Sequence, residues 1–542
     1  MRMTNKIMQN NSLYNINNNK ELQDKLSTQM STKKKLTRPS DDPVVAIRAL
    51  RLRSDVSQIT QFYEKNAEDA ESWLKVTGDA LETTSSIIES MVGLCGQGAN
   101  KDLGPDKLEI ILAQLKELKN EFYSTGNVDY AGRYMFTGYR TDTPLTYTED
   151  IPNDPANPSY QNFSITEQVD ISALDSINHT IIGGLKGLTK ENYDPTVNYN
   201  PAVPNSGEKE TNIVNGDIYR IRISYSDVKS DVVPTITTVA PPTVPPTIPP
   251  AETALFTVDQ NMSSTADPNP YDYILKNPDK SVFVPETGEI LIGADVYTNM
   301  NLGSIDSSTE IRINYQKDSW TKGDMRPQHY FACENITDPA NTIKYNYAEN
   351  PGKIPPQYIP SEKVTQYLEY DVGYNQKIRV NTTAGEVFTM DMDRNIDDME
   401  EALSKLKEIY KVKDDLDKKL DGMEEGEAGY ANLQATYAAA DKAYTYIRDN
   451  MQKMFEGLIT KVNDIGNMTN LAITDNGTRS SRLDLIDNRL MTQKTTFETL
   501  QSANEDIDVT EVTVQLTSMG YSYQSALMAT SKILQNSLMN YI

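Results

Sequence analysis

Histidine and cysteine are almost missing from this sequence: His179, His329, Cys95 and Cys333 are all that its 542 residues hold. Two cysteines build no disulfide framework. Cys95 falls on an apolar helical stripe, where a buried thiol is expected. Neither histidine sits in an H-E-x-x-H motif, so a zincin is excluded. His329 and Cys333 are four residues apart, but no further ligand follows at metal-site spacing. There is no P-loop, no G-x-G-x-x-G after a strand and no G-x-S-x-G elbow. The acidic run Asp391 to Asp398 fails as a calcium loop, because Ile396 stands at the sixth position and Ala402 at the twelfth. Carboxylates in the first turn of a helix, favoured by its dipole, account for that run. These absences predict a protein that is not an enzyme and holds no cofactor or metal.

Long apolar runs are absent too. No stretch of about 18 apolar residues exists, so no membrane-crossing helix is expected. The start, Met1 to Lys6, lacks the apolar region of a cleavable secretory signal, and export by another route is expected. Basic residues are in deficit, 52 Lys and Arg against 77 Asp and Glu, for a net charge of −25. Such a surface repels phosphate backbones and anionic headgroups, so neither nucleic acid nor a membrane is an expected partner.

Proline is absent from residue 393 to the end and sparse before about 138, but abundant between. The sequence therefore predicts an α+β fold. Both termini form an antiparallel bundle of long coiled-coil helices, with a large β-rich region inserted between them. Seven segments are expected: a terminal assembly helix at 1–38 paired with 505–542, long helices at 39–138, β-rich parts at 139–233 and 252–392 around a proline-rich linker at 234–251, and long helices at 393–504.

The periodicity behind this is explicit. Ala49, Val56, Tyr63, Ala70, Thr77, Thr84 and Met91 recur at seven, and Leu52, Ile59, Asn66, Trp73, Ala80, Ile87 and Leu94 fill the offset stripe. That is a coiled-coil seam, with Asn66 as its register-setting polar residue and Trp73 as an anchor. Towards the C-terminus, Tyr430, Tyr437, Tyr444, Met451, Leu458 and Ile465 pair with Leu433, Ala440, Ile447, Met454 and Met468, with Lys461 as a lapse. A further stripe joins Leu483, Ile486, Leu490, Phe497 and Leu500. Arg38 to Pro43 interrupts the N-terminal helices, since its two prolines fit no helix interior. Asp42 is placed to cap the next helix, with Pro43 at its first position. In the insert, Ile218 to Ile223, Glu310 to Tyr315 and Lys377 to Asn381 alternate as half-buried antiparallel strands do.

The outermost helices are expected to lack an internal partner and to bury their apolar stripes only on assembly. The residues expected at that interface are Ile7, Tyr14, Leu22, Leu26 and Met30 at one end, and Met519, Tyr523, Ala526, Ile533, Leu534 and Leu538 at the other.

The same ends carry a resemblance. Arg38-Pro39-Ser40-Asp41-Asp42-Pro43, Arg51-Leu52-Arg53, Asn66-Ala67, Ser72-Trp73-Leu74 and Gly132 to Gly138 resemble the flagellin superfamily, and within it the hook-associated proteins of the FlgL family. So do Arg479 to Asp484, Asp506 to Glu511, Tyr523 to Leu527 and Lys532 to Leu538. Flagellin itself usually has an alanine-rich segment in place of the two prolines and often ends in leucine-arginine, where this chain ends Asn540-Tyr541-Ile542. The resemblance spans roughly the first 145 and last 150 residues and leaves the insert uncovered.

It implies a structural subunit of the extracellular flagellum, at the junction of hook and filament. The implied partners are other copies in a ring, the hook-associated protein FlgK, flagellin, and a FlgN-like export chaperone on the C-terminal helix during type III export. Flagellin itself and a coiled-coil surface adhesin are the alternatives.

Overall fold

A computed structural model describes residues 5–194, 213–239, 252–305, 309–350, 357–360 and 366–535. The chain divides into two compact units. The first comprises Met1–Ser72, Glu369–Ile378 and Arg479–Ile542, and the second Trp73–Leu368 and Arg379–Thr478.

The first unit holds helices α1 (Asn5–Thr32) and α2 (Pro43–Gln61), the end of helix α8 (Tyr430–Glu505) and helix α9 (Val509–Gln535). Asp42 caps α2 as expected, accepting from the Val44 and Val45 N–H groups at 3.0 and 3.1 Å, with Pro43 in the first turn. After α2 the backbone widens into a π-helical stretch, Phe62–Ala67, before helix α3 (Glu68–Gly98) begins. A hairpin of Glu369–Gly373 and Gln376–Arg379 sits on this stretch. The Asn66 amide donates to the Asp371 carbonyl at 2.7 Å, and Tyr370 and Tyr374 donate to Asp69 and Gln58. Asn66 is therefore not a register residue between helices. It serves a local hairpin contributed from 305 residues away, a partner that heptad counting does not see.

The second unit contains the rest of α3, helix α4 (Pro105–Thr125), the insert with its short helices α5 (Pro270–Lys276) and α6 (Ala294–Asn299), helix α7 (Asp391–Leu420), and the first part of α8. The expected helical span 39–138 thus breaks at Gly98, and α4 begins at Gly104-Pro105. Trp73, Thr77, Ala80, Thr84, Ile87 and Met91 are buried on α3 at the expected spacing. The two threonines return their hydroxyls to the carbonyls of Trp73 and Ala80, at 2.9 and 2.8 Å. Both threonine hydroxyls inside the seam are thereby satisfied. Cys95 is buried in full, and burial pushes its thiol up to about 12. Gly98 lets α3 approach α8 closely, because a Cβ there would lie 2.3 Å from the Phe455 ring.

Along α8 one expected stripe keeps its place, with Met451, Leu458 and Ile465 buried, and the other slips. Leu433, Ala440 and Ile447 are buried, but the stripe then runs Phe455, Val462, Thr469, Asn476. The first three are each one residue beyond the expected Met454, Lys461 and Met468, and Lys461 is no lapse because it is off the seam. A straight helix drifts about 20° per heptad, and the one-residue step absorbs that drift.

The insert is a two-sheet sandwich. One antiparallel sheet has the order Ile343–Tyr345, Ala332–Asn335, Phe163–Val169, Glu310–Lys317, Thr235–Val239, Glu252–Phe256. The other has the order Leu174–Ile181, Val214–Arg222, Glu289–Ile292, Ser281–Val284, Gln260–Asn261, with only the last pair parallel. Phe163, Ile165, Ile311 and Ile313 of the first meet Ile221, Phe283, Ile290 and Ile292 of the second. Trp320 is buried among them, stacked on Tyr147 at 4.8 Å between centroids. Thr235–Val239 pairs with Glu310–Lys317, so the expected linker at 234–251 opens as a strand, and its remainder, 240–251, lies outside the described residues.

The alternating strands Val214–Arg222 and Glu310–Lys317 are where expected, but the polar face of the first is covered around Arg220 and Arg222. Arg220 is 3% exposed. Its guanidinium meets Glu289 at 2.5 Å and Asp398 at 2.6 Å, and Arg222 meets Asp398 at 2.5 Å. Helix α7 supplies Asp398 and lies over this face. Period-two alternation signals one apolar face, and cannot show what covers the other.

The two histidines of this unit are largely buried. His329 donates its Nε2–H to the Pro144 carbonyl at 3.2 Å, and burial pushes its pKa down to about 4. Cys333 is fully buried in its strand, and its thiol is pushed up by the same cause. Among the described residues no three His, Cys, Asp or Glu converge as a ligand set. The low pKa has a testable sign. Between pH 6.5 and 4 the unfolded chain binds a proton at this site that the folded chain refuses. Stability is therefore present above pH 6.5 and falls, by about 3 kcal/mol for this group, as pH drops to 4. His329→Gln is expected to remove that slope from the urea midpoint plotted against pH. An unchanged slope would refute the assignment.

Candidate assembly interface

The two outermost helices are not partnerless. α1 and α9 pack on each other, so part of their apolar stripes is buried within the chain and not only on assembly. Leu26 is buried at 5%, and Met30 is half-buried, with its sulfur accepting from the Thr513 hydroxyl at 3.7 Å. On α9, Val512 is buried and Leu516, Met519, Tyr523 and Ala526 are half-buried, at alternating steps of four and three. These are the spacings of one helix seam.

Three of the expected interface residues lie off that seam. Ile7 is 48% exposed, Tyr14 66% and Leu22 42%. Ile533 and Leu534 lie at the end of α9, with side chains outside the described set, and Leu538 lies outside the described residues altogether. A second stripe on α9 was not expected: Val514, Tyr521 and Met528 recur at seven and are each about two-thirds exposed. The signal was available, since these residues repeat at the same period as the inner seam, offset by two. Leu500, expected within the α8 stripe, is also exposed, whereas Leu483, Ile486 and Leu490 are buried. The first unit thus presents two kinds of apolar stripe: one consumed within the chain, one left in solvent. Outward heptad stripes on adjacent helices are geometry for further helices.

The two breaks that set off α1 and α9 are stitched to each other. Lys33 takes a left-handed conformation, with φ 57°. Lys35 N–H donates to the Glu505 carbonyl at 2.7 Å, and Ile507 N–H to the Lys33 carbonyl at 3.2 Å. Glu505, its side chain only 4% exposed, accepts from Arg53 through both oxygens, at 2.7 and 2.6 Å. Lys34 reaches Asp506 at 2.6 Å and Glu505 at 3.2 Å. The Arg53 hydrogen bond, then that of Lys34, holds the Glu505 carboxyl below its ordinary value against burial. Asp508 then caps α9, accepting from the Thr510 and Glu511 N–H groups. Glu505→Ala is expected to lower the stability of this unit by about 1.5 kcal/mol, the low end for charged hydrogen bonds because Arg53 is half in solvent. Hydrogen exchange at Ile507 would rise with it; protection like that of the parent would contradict the clasp.

The profile of the bacterial flagellin N-terminal helical region matches residues 3–141. The match takes in about a quarter of the chain, at its N-terminal end. The chain is also similar to flagellar hook-associated protein 3 of Salmonella typhimurium, 29% identical over 183 residues, and to that of Escherichia coli, 27% over 181. Each alignment covers 33% of this chain, and the chain spans 55% of the length of these relatives. Among solved structures, a putative flagellar hook-associated protein from Vibrio parahaemolyticus aligns over 86% of this chain and all of its own, with 12% identity and a TM-score of 0.31. FlgL of Xanthomonas campestris aligns over 83% of this chain and 99% of its own, with 11% identity and a TM-score of 0.29. The flagellin-like segment thus comprises α1 to α4, the break at Arg38–Pro43 and the start of the insert. The fold is α+β: long helices at both termini, the N-terminal ones flagellin-like, with antiparallel sheets inserted between them in the sequence.

Proposed function

We propose that this chain is a structural subunit of the bacterial flagellum, seated at the junction of hook and filament, where it presents the surface on which flagellin assembles. The observation that carries the reading is the exposed stripe Val514, Tyr521 and Met528 on α9, a helix already paired with α1 through a different face. Burying such side chains stabilises by about 25 cal/mol per Å² of apolar surface, so the stripe gives assembly its driving force. Heterologous contacts between copies build a ring or tube, where isologous ones would close into dimers. The similarity to hook-associated protein 3 supports the junction over the filament body. The partners in this reading are other copies of the chain in a ring, FlgK on the hook side, flagellin on the filament side, and a FlgN-like chaperone on the C-terminal helix before export. The setting is extracellular.

Deleting the gene tests this. Cells are expected to carry hooks without filaments and to release flagellin into the medium. Filaments of normal number on the deletion strain would refute it.

A further inference from the structure

The chain is strongly acidic, so copies of it repel one another at long range. One region reverses the sign: Met1 to Arg53 holds eleven Lys and Arg against four Asp and Glu. Within it, one face of α2 is bare. Val44, Ile47, Arg48 and Arg51 share that face at steps of three and four, all exposed, Val44 at 68% and Ile47 at 54%. Farther along the same face, Tyr374 at the hairpin turn hydrogen-bonds Gln58 and meets the Phe62 ring edge-on. That contact shows an aromatic side chain at the tip of a turn reaching this face. The bare half adds two guanidiniums with no ion-pair partner among the described residues.

The complementary surface lies elsewhere in the sequence. Between Asp414 and Glu427, where α7 ends and α8 has not yet begun, seven Asp and Glu stand against two lysines. Asp421, Glu424, Glu425 and Glu427 are exposed, also without ion-pair partners among the described residues, around a half-buried Met423. An apolar side chain ringed by carboxylates matches an apolar stripe flanked by arginines in both properties.

We propose that the bare face of α2 docks the turn between α7 and α8 of a second copy of this chain. The proposal rests on the assembly reading above and names one contact within it. Exposed ion pairs alone are weak, so the apolar groups supply affinity, while the charges set which surface is chosen and speed the encounter. Because the two surfaces differ, the contact is heterologous and repeats from copy to copy without closing a dimer.

The test uses the full chain in flagellated cells. With Ile47→p-benzoylphenylalanine, photo-crosslinking of assembled flagella is expected to join Ile47 to a peptide within 411–430 of another copy. Arg48→Glu with Arg51→Glu should cut the crosslink yield about tenfold, and adding Glu424→Lys with Glu425→Lys should restore it. Crosslinks to a different segment, or to another flagellar protein, in cells with normal filaments overturn this contact and leave the junction reading intact. Failure of the charge swap to restore the yield overturns the contact as well. Normal filaments in cells lacking the chain overturn the junction reading itself.

Discussion

Removal of residues 509–542 is expected to leave a folded protein that no longer joins the flagellum, with filament number per cell falling on the order of a hundredfold. The cut takes away α9, and with it both the partner of α1 and the outward stripe of Val514, Tyr521 and Met528. Each 1.4 kcal/mol lost from an interface is about tenfold in affinity, so about 3 kcal/mol lost from the stripe is enough for that fall. The second unit contributes no residue to α9. Its thermal transition is therefore expected to stay within about a degree of the parent's. Placing the cut after Asp508 keeps Glu505 and its bonds to Arg53 and Lys34, so the result reads out α9 and not the clasp. The measurements are filament counts by electron microscopy and flagellin in the culture medium. Filaments in ordinary number would remove α9 from the account.

The second large effect lies in the insert. Arg220→Met is expected to destabilise the second unit by about 3–5 kcal/mol, because it leaves the Glu289 carboxylate buried without its cation. Tyr271 and Thr287 still donate to Glu289, but neither neutralises it. Adding Glu289→Gln should recover a large part of the loss, since the unpaired charge is then gone. Acid should have an effect of the same origin. Burial alone would raise the Asp398 carboxyl; Arg220 and Arg222 more than reverse that and hold it below its ordinary value. A depressed carboxylate contributes stability above its unfolded value, near pH 4, and the contribution is lost as pH falls through the lower folded value. Arg220→Met should therefore flatten the acid limb of the stability curve below about pH 4. A variant with parental urea midpoint and parental acid limb would show the network to be energetically idle.

Much of this architecture is written in periodicity. The α3 stripe from Trp73 to Met91, the cap at Asp42 and the strands at Val214–Arg222 and Glu310–Lys317 all follow from local rules, because each is decided by neighbours within a few residues. What was not legible depended on distant chain. Asn66 reads as a coiled-coil position until the Glu369–Gly373 strand arrives to accept its amide. Arg220 and Arg222 read as solvent-facing until α7 brings Asp398 over them. Phe455 and Val462 replace Met454 and Lys461 because drift between a straight helix and a seven-residue repeat accumulates slowly. At the assembly surface, Ile7, Tyr14 and Leu22 read as one set with Leu26 and Met30, and the pairing of α1 with α9 divides that set into an outer and an inner one. Two seams on one short helix share a period, so a count at seven finds both and separates neither.

The most direct measurement of the central claim is where the chain sits on the organelle. Gold-labelled antibody raised against the insert, imaged on intact flagella, is expected to mark one band per flagellum at the border of hook and filament. Label along the whole filament would make the chain a filament subunit, and label on the cell body away from hooks would make it a surface protein of another kind; either result contradicts the account.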